Sequence, residues 1–154
     1  MAPPPLAAHF LCFWTQTIIG TQRAYEHRVL PDACVDIVLI NDEIPLVFGP
    51  WIVPFVARLA VGTIVTGARL RPGRASCLLG MPVSELLNRA IPIAAVKGAM
   101  QSIRLEKVIE QPNAAARRSA LAEVLLASVT SSAPSDQTVL AGGSRAIHAV
   151  VSSA

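Results

Sequence analysis

Apolar residues recur at every second position through the first half of the chain and at every third or fourth position through the second. The alternation predicts six short strands, over residues 10–19, 26–30, 34–40, 45–48, 52–59 and 63–70. Turn residues separate them at Gly20-Thr21, Pro31-Asp32-Ala33, Asn41-Asp42, Gly49-Pro50 and Gly62. Strands this short and this evenly spaced point to an antiparallel sandwich or barrel. Past residue 73 the helical period takes over. Pro82 suits the first turn of a helix through Ser84, Leu86 and Leu87, because its missing N–H has no partner to lose there. A second helix is expected over 100–110, with Ile103, Val108 and Ile109 on one face and Pro112 ending it. Asn113 is a natural N-cap for a third, through Leu121, Val124, Leu125 and Ser128. Residues 131–135 read as a loop, and a fourth helix over 136–140 is weakened by Gly142-Gly143.

These elements define an α+β chain in three parts. Residues 1–73 form a β-rich core, 74–130 a helical segment packed on it, and 131–154 a linker with the start of a further helix. Composition sharpens this picture. The chain is 53% hydrophobic and 15% charged, against about 25% charged in an average soluble domain. Apolar surface is therefore expected to be covered by something outside the chain, which suggests a homodimer. A membrane is not the expected cover, since no uninterrupted run approaches the roughly 20 apolar residues of a spanning helix. With no basic segment ahead of an apolar one, the expectation is a cytoplasmic protein. Cys12, Cys34 and Cys77 are odd in number and contain no CxxC pair, so reduced thiols are expected in place of a disulfide framework. A net charge of +3, scattered along the chain, does not announce nucleic-acid binding by this segment.

The segment YEHRVLPDACVDIVLIND, Tyr25 to Asp42, carries the candidate chemistry. On a strand, Cys34, Asp36 and Val38 share one face and Val35, Ile37 and Leu39 the other. Asp32 suits a turn in which its carboxylate accepts backbone N–H groups. Asp36 is a carboxylate within an apolar strand, and burial would oblige it to find a partner such as Arg28, Arg69 or Arg71. Arg69 and Arg71 stand two apart, placed either to pair with Asp36 or Glu26 or to grip an anionic ligand. The expected ligand-binding face comprises Trp14, Cys34, Asp36, Arg69 and Arg71. The expected dimerisation residues are Ile103, Leu121, Val124 and Leu125.

Other chemistries fit less well. The three histidines, His9, His27 and His148, form no H-x-H pair, and only His27 with Cys34 and Asp36 across a hairpin could begin a metal site, so no metal and no cofactor is expected. GARLRPGRAS, from Gly67, mimics a phosphate loop, but five residues separate its glycines and Arg74-Ala75 replace the Lys-Ser/Thr pair. Ser84 lies in MPVSEL, outside any nucleophile elbow, and Cys34 and Cys77 lack an evident activating base. No catalytic residue is identified and no enzyme is expected.

HRVLPDACVDIVLIND, then VFGP, GARLRPGRASCLLGMPVSELLNRAIPI and LEKVIEQPNAAARRSALAEVLLASV together resemble the N-terminal domain of AraC-type transcriptional regulators. Those proteins carry patterns close to L-P-D-G-C-x-D-hydrophobic, G-x-R-F-R-P-G and L-L-G-x-P-x-S-E-L. The likeness runs from about residue 25 to 129. Ala33 stands where Gly is usual and Leu70 where Phe is common; the first bears on turn geometry, the second on aromatic surface in a pocket. The resemblance implies a cupin-like antiparallel β-barrel or sandwich that senses a small-molecule effector, followed by dimerising helices. It also implies a pair of helix-turn-helix units that bind DNA. The nineteen residues after Ser135 are too few for that pair, so the chain is expected to be the sensor portion without its reader. Two alternatives stand beside this one: a purely structural dimerisation module with a filled barrel, and a cupin-type enzyme.

Overall fold

The fold was analysed in a computed structural model that describes residues 6–131, apart from 22, 99 and 102. The linker expected beyond residue 131 and the fourth helix over 136–140 lie outside the described residues. All six expected strands form: β1 (Phe10–Thr17), β2 (Ala24–Val29), β3 (Asp36–Ile40), β4 (Leu46–Phe48), β5 (Phe55–Ala60) and β6 (Ile64–Leu70). A seventh, β7 (Ala90–Pro92), falls in the stretch expected to be helical. Three residues are too short to display a period of two. Its Pro92 is tolerated because β7 lies at a sheet edge, where one row of backbone groups goes unpaired.

The strands make two antiparallel sheets. One has five strands in the order β1-β6-β3-β4-β7, and the other pairs β2 with β5. Of the two forms expected, sandwich or barrel, the barrel is not closed: among the described residues, neither β2 nor β5 hydrogen-bonds to an edge of the larger sheet. In β1 the register shifts between Phe10 and Cys12. Such a bulge breaks the two-residue alternation. Phe10 opposite Leu70 thus joins the core, while Cys12 stands opposite Arg69.

The helical part is shorter than the period suggests. It comprises α1 (Ala75–Leu79), α2 (Glu106–Ile109) and α3 (Ala114–Ser131), with 3-10 turns at Val83–Leu86 and Ile93–Ala95. The helix expected from Pro82 is thus a single turn, and the one expected over 100–110 shrinks to its last third. Before that third, the backbone N–H groups of Lys97, Gly98 and Met100 bond the carbonyls of Leu79, Leu79 and Leu78. Those N–H groups satisfy the otherwise unpaired C-terminal carbonyls of α1 and hold this stretch against the end of that helix. Gly80 ends α1 at φ 63, and Gly98 lies so close that a side chain on Gly80 would meet its backbone at 2.5 Å.

The third helix forms where expected. Asn113 Oδ1 accepts the Ala116 N–H at 2.9 Å, the N-cap bond. Arg117, in the first turn, reaches back to the β3–β4 turn, donating to Asn41 O at 2.8 Å and Asp42 Oδ1 at 2.9 Å, and also to Ile109 O at 2.9 Å. Leu121, Leu125 and Val129 then fall one turn apart on the buried side. They join Phe10, Ile37, Leu39, Val47, Ala68 and Leu70 of the large sheet, with Leu78, Leu79, Leu86, Met100 and Val108, in one core. Burying each large apolar side chain fully contributes roughly 1.5–3 kcal/mol.

That core places the expected dimerisation residues. Leu121 and Leu125 are 0% exposed inside the monomer, out of reach of any partner. Ile103 and Val124 are half-buried against the same cluster. A heptad-like apolar stripe reads the same from sequence whether it faces its own sheet or a second chain.

Candidate functional site

Among the described residues, the other face of the large sheet meets no helix. It looks across a cavity of about 200 Å³ to the β2–β5 pair. Pairing register explains which residues line it. One row across the sheet runs Cys12, Arg69, Asp36, Phe48, and the next runs Trp14, Gly67, Val38. From these rows Trp14, Asp36, Val38, Phe48 and Arg69 line the cavity, and Gln16, Ile40 and Val65 extend it. The small sheet contributes alternate residues: His27 and Val29 from β2, then Phe55, Ala57 and Leu59 from β5. Outward between them, Glu26 and Arg58 pair at 3.0 Å in solvent.

Arg69 organises the polar end. Its Nε donates to Asp36 Oδ1 at 2.9 Å, and its Nη2 donates to Asp36 Oδ2 and Asp32 Oδ2, both at 2.8 Å. The grip on Asp36 is bidentate, the strong geometry for a guanidinium and a carboxylate. Asp36 needs it, since its side chain is 13% exposed, against 32% for Arg69 and 38% for Asp32. The hydrogen bonding of Arg69 to Asp36 is the largest influence on the guanidinium and holds it more firmly protonated than usual, against the opposing effect of burial. Asp32 also accepts the Cys34 N–H at 3.3 Å through Oδ1, which is the expected turn bond. Burial pushes the Cys34 thiol up. Asp32, Asp36 and Cys12 add to that, and Arg69 pulls the other way. A thiol raised in this way is a poor nucleophile at neutral pH.

Trp14 forms part of the floor. Its indole lies across Gly67, the residue opposite it on β6, and a Cβ there would come within 2.3 Å of the ring. Only glycine leaves that space. On the loop after β4, Trp51 packs on Phe55 with ring centroids 4.2 Å apart. Its buried indole N–H has no hydrogen-bond partner among the described residues.

Of the five residues expected to bind a ligand, Trp14, Cys34, Asp36 and Arg69 are brought together around this cavity. Arg71 is not. It follows the end of β6, is exposed, and turns to the N-terminal segment, where its Nε donates to Ala7 O and its backbone N–H to His9 O. The spacing of two had placed it beside Arg69, but the strand ends at Leu70 and the alternation ends with it. Leu70 is likewise on the core side, 1% exposed, so it takes no aromatic surface from the cavity. Ala33 does not require the conformational freedom of glycine, because positive φ occurs at Asn41 and Asn88 but not at Ala33.

Sequence reading overlooked Gln16, Val29, Phe48, Trp51, Phe55, Ala57 and Leu59, and weighed His27 only as a metal ligand. For β5 the signal was present, since Phe55, Ala57 and Leu59 alternate with exposed residues. Trp51 lies outside any strand and carries no periodicity. His27 lines the same cavity as Cys34 and Asp36, and no group of three or more metal-binding side chains gathers there or elsewhere among the described residues. No described helix is long and apolar enough to cross a membrane.

Compared with known proteins, residues 1–92 match a family model described as a domain of unknown function, DUF6597. No curated protein and no solved structure matches the chain.

Proposed function

The chain belongs to the DUF6597 family, and on that premise we propose that it is the ligand-sensing and dimerisation part of an AraC-type transcription regulator. In this reading it is a cytoplasmic, cupin-like sensor that binds a small effector between its two sheets. It acts on DNA only through helix-turn-helix units outside the present sequence.

One observation carries the proposal: the inner face of the large sheet opens onto a cavity lined by Trp14, Asp36 and Arg69, while its other face is packed solid. A domain with no ligand gains nothing from leaving such a space unfilled, because voids cost stability. The quoted sequence motifs supply the regulator half of the reading, and two of them, around Asp36 and Arg69, contribute the polar end. An effector seated there would touch β3 and β6, and β6 packs on α3. Couplings of about 1–3 kcal/mol are enough to shift how helices meet a partner. With Leu121 and Leu125 committed to the core, the dimer seam in this proposal uses the outward flank of α3 around Val124.

A thermal-shift screen of small metabolites tests the sensing claim. At least one should raise the melting temperature of the wild-type chain and lose that effect in Phe48→Ala. If no compound does so, the reading fails.

A second reading has a specific observation in its favour. Arg69, Asp32 and Asp36 already pair with one another, as they would in a purely structural dimerisation module. That module predicts that Arg69→Ala costs only stability and leaves the sedimentation behaviour and any ligand response unchanged.

A further inference from the structure

Building on the sensor reading, we propose that the cavity takes a small organic cation, an amine carried on an apolar or aromatic body, and discriminates against anions.

The charges decide this. Three charged side chains face the cavity, two carboxylates and one guanidinium, so the formal sum at that end is −1. The other titratable groups on its wall are His27 and the Cys34 thiol, whose raised position keeps it neutral. An anion would need Arg69, but three of its five N–H donors, those on Nε and Nη2, already serve Asp36 and Asp32. An anion would also meet two carboxylates at contact range. An ammonium meets the reverse. Each carboxylate oxygen can accept more than one hydrogen bond, and Asp32 is the most solvent-accessible of the three.

The walls favour the same class. The chain has seven aromatic residues, four Phe, two Trp and one Tyr, and four of them, Trp14, Phe48, Trp51 and Phe55, line this one space. With one face of the Trp14 ring pressed on Gly67, its opposite face is the one available to the cavity. Aromatic faces carry negative quadrupole density and attract desolvated cations. An apolar body on the amine would fill the space between Val38, Ile40 and Leu59.

Both tryptophans of the chain line the cavity, so intrinsic fluorescence reports occupancy directly. The probes are phenethylamine, phenethyl alcohol and phenylacetate, three molecules of similar shape that carry positive, zero and negative charge, titrated into the full chain. The expected order is amine, alcohol, acid, with the amine at least about tenfold tighter than the acid. Asp32→Asn, at the more exposed carboxylate and therefore the safer one for folding, should weaken the amine severalfold and leave the alcohol unchanged. Asp36→Asn should do the same where it folds. Phenylacetate binding as tightly as phenethylamine to the wild type overturns the cation assignment and leaves the sensor reading intact. So does amine affinity that Asp32→Asn does not change. If none of the three binds saturably up to its solubility limit, the cavity is not a receptor site and both proposals fall.

Discussion

The two faces of the five-stranded sheet are built from the same strands and behave as different materials. On β3, Ile37 and Leu39 join the core and are 0% and 2% exposed. Asp36 and Val38, their neighbours in sequence, turn toward a cavity of about 200 Å³. On β6, Ala68 and Leu70 join the core, while Gly67 and Arg69 support the Trp14 ring and the carboxylate pair. The packed face asks only for apolar volume that interlocks. The open face combines charge, aromatic surface and empty space, which packing alone would not select. A cavity on one face is tolerated because the other face carries the apolar core.

Substitutions on the two faces can break or sharpen this contrast. The largest effect belongs to the packed side. Leu121→Ala should lose about 2–5 kcal/mol of unfolding free energy in urea titration, because it leaves a void at the centre of the core. Val38→Ala, facing a space that already exists, should lose under about 1.5 kcal/mol. Equal losses would mean that the cavity side is packed as tightly as the core. Next comes Arg69→Ala, which strips Asp36 of its partner. The cost expected is about 2–4 kcal/mol, below the full range for a buried pair because Arg69 is about one-third exposed. Adding Asp36→Asn and Asp32→Asn to Arg69→Ala should return most of that loss, since no uncompensated carboxylate then remains.

Gly67→Ala should cost about 1–3 kcal/mol through overpacking against Trp14. It should also displace the indole, moving the tryptophan emission maximum and weakening any probe bound in the cavity. An unchanged spectrum would show that the ring does not rest on Gly67 in solution. The smallest effect is chemical. With Cys12 and Cys77 replaced by Ser, alkylation of Cys34 should rise with pH only above the ordinary thiol range, because burial raises this thiol. Arg69→Ala should push the profile further up, since Arg69 is the one influence that lowers it. The sign for stability follows. The folded thiol ionises later than the unfolded one, so the Cys34 contribution is fully present below the unfolded pKa and is lost as pH rises through the folded value. A labelling profile like that of a free cysteine would place Cys34 in open water.

Much of this contrast was legible in the letters. Alternation along residues 34–40 separated Cys34, Asp36 and Val38 from Val35, Ile37 and Leu39, and the structure keeps that division. Asn113 announced the start of α3, and an orphaned carboxylate in an apolar strand announced a partner, which is Arg69. Arg71 misled because alternation holds only within a strand. Leu121 and Leu125 misled because an apolar stripe does not say what covers it. Sandwich and barrel stayed open because strand count and spacing are the same for open and closed sheets.

Local periodicity and side-chain chemistry, both short-range properties, settled by themselves where the chain extends, where it coils, and which residues share a face. Pairing partners were a different matter. That Trp14 lies over Gly67, that Arg69 reaches both Asp32 and Asp36, and that the β2–β5 pair stands across from β3 and β6 all depend on contacts between segments distant in sequence. No local pattern encodes a distance of that kind, so the cavity and its charge balance emerged only when the folded chain brought them together.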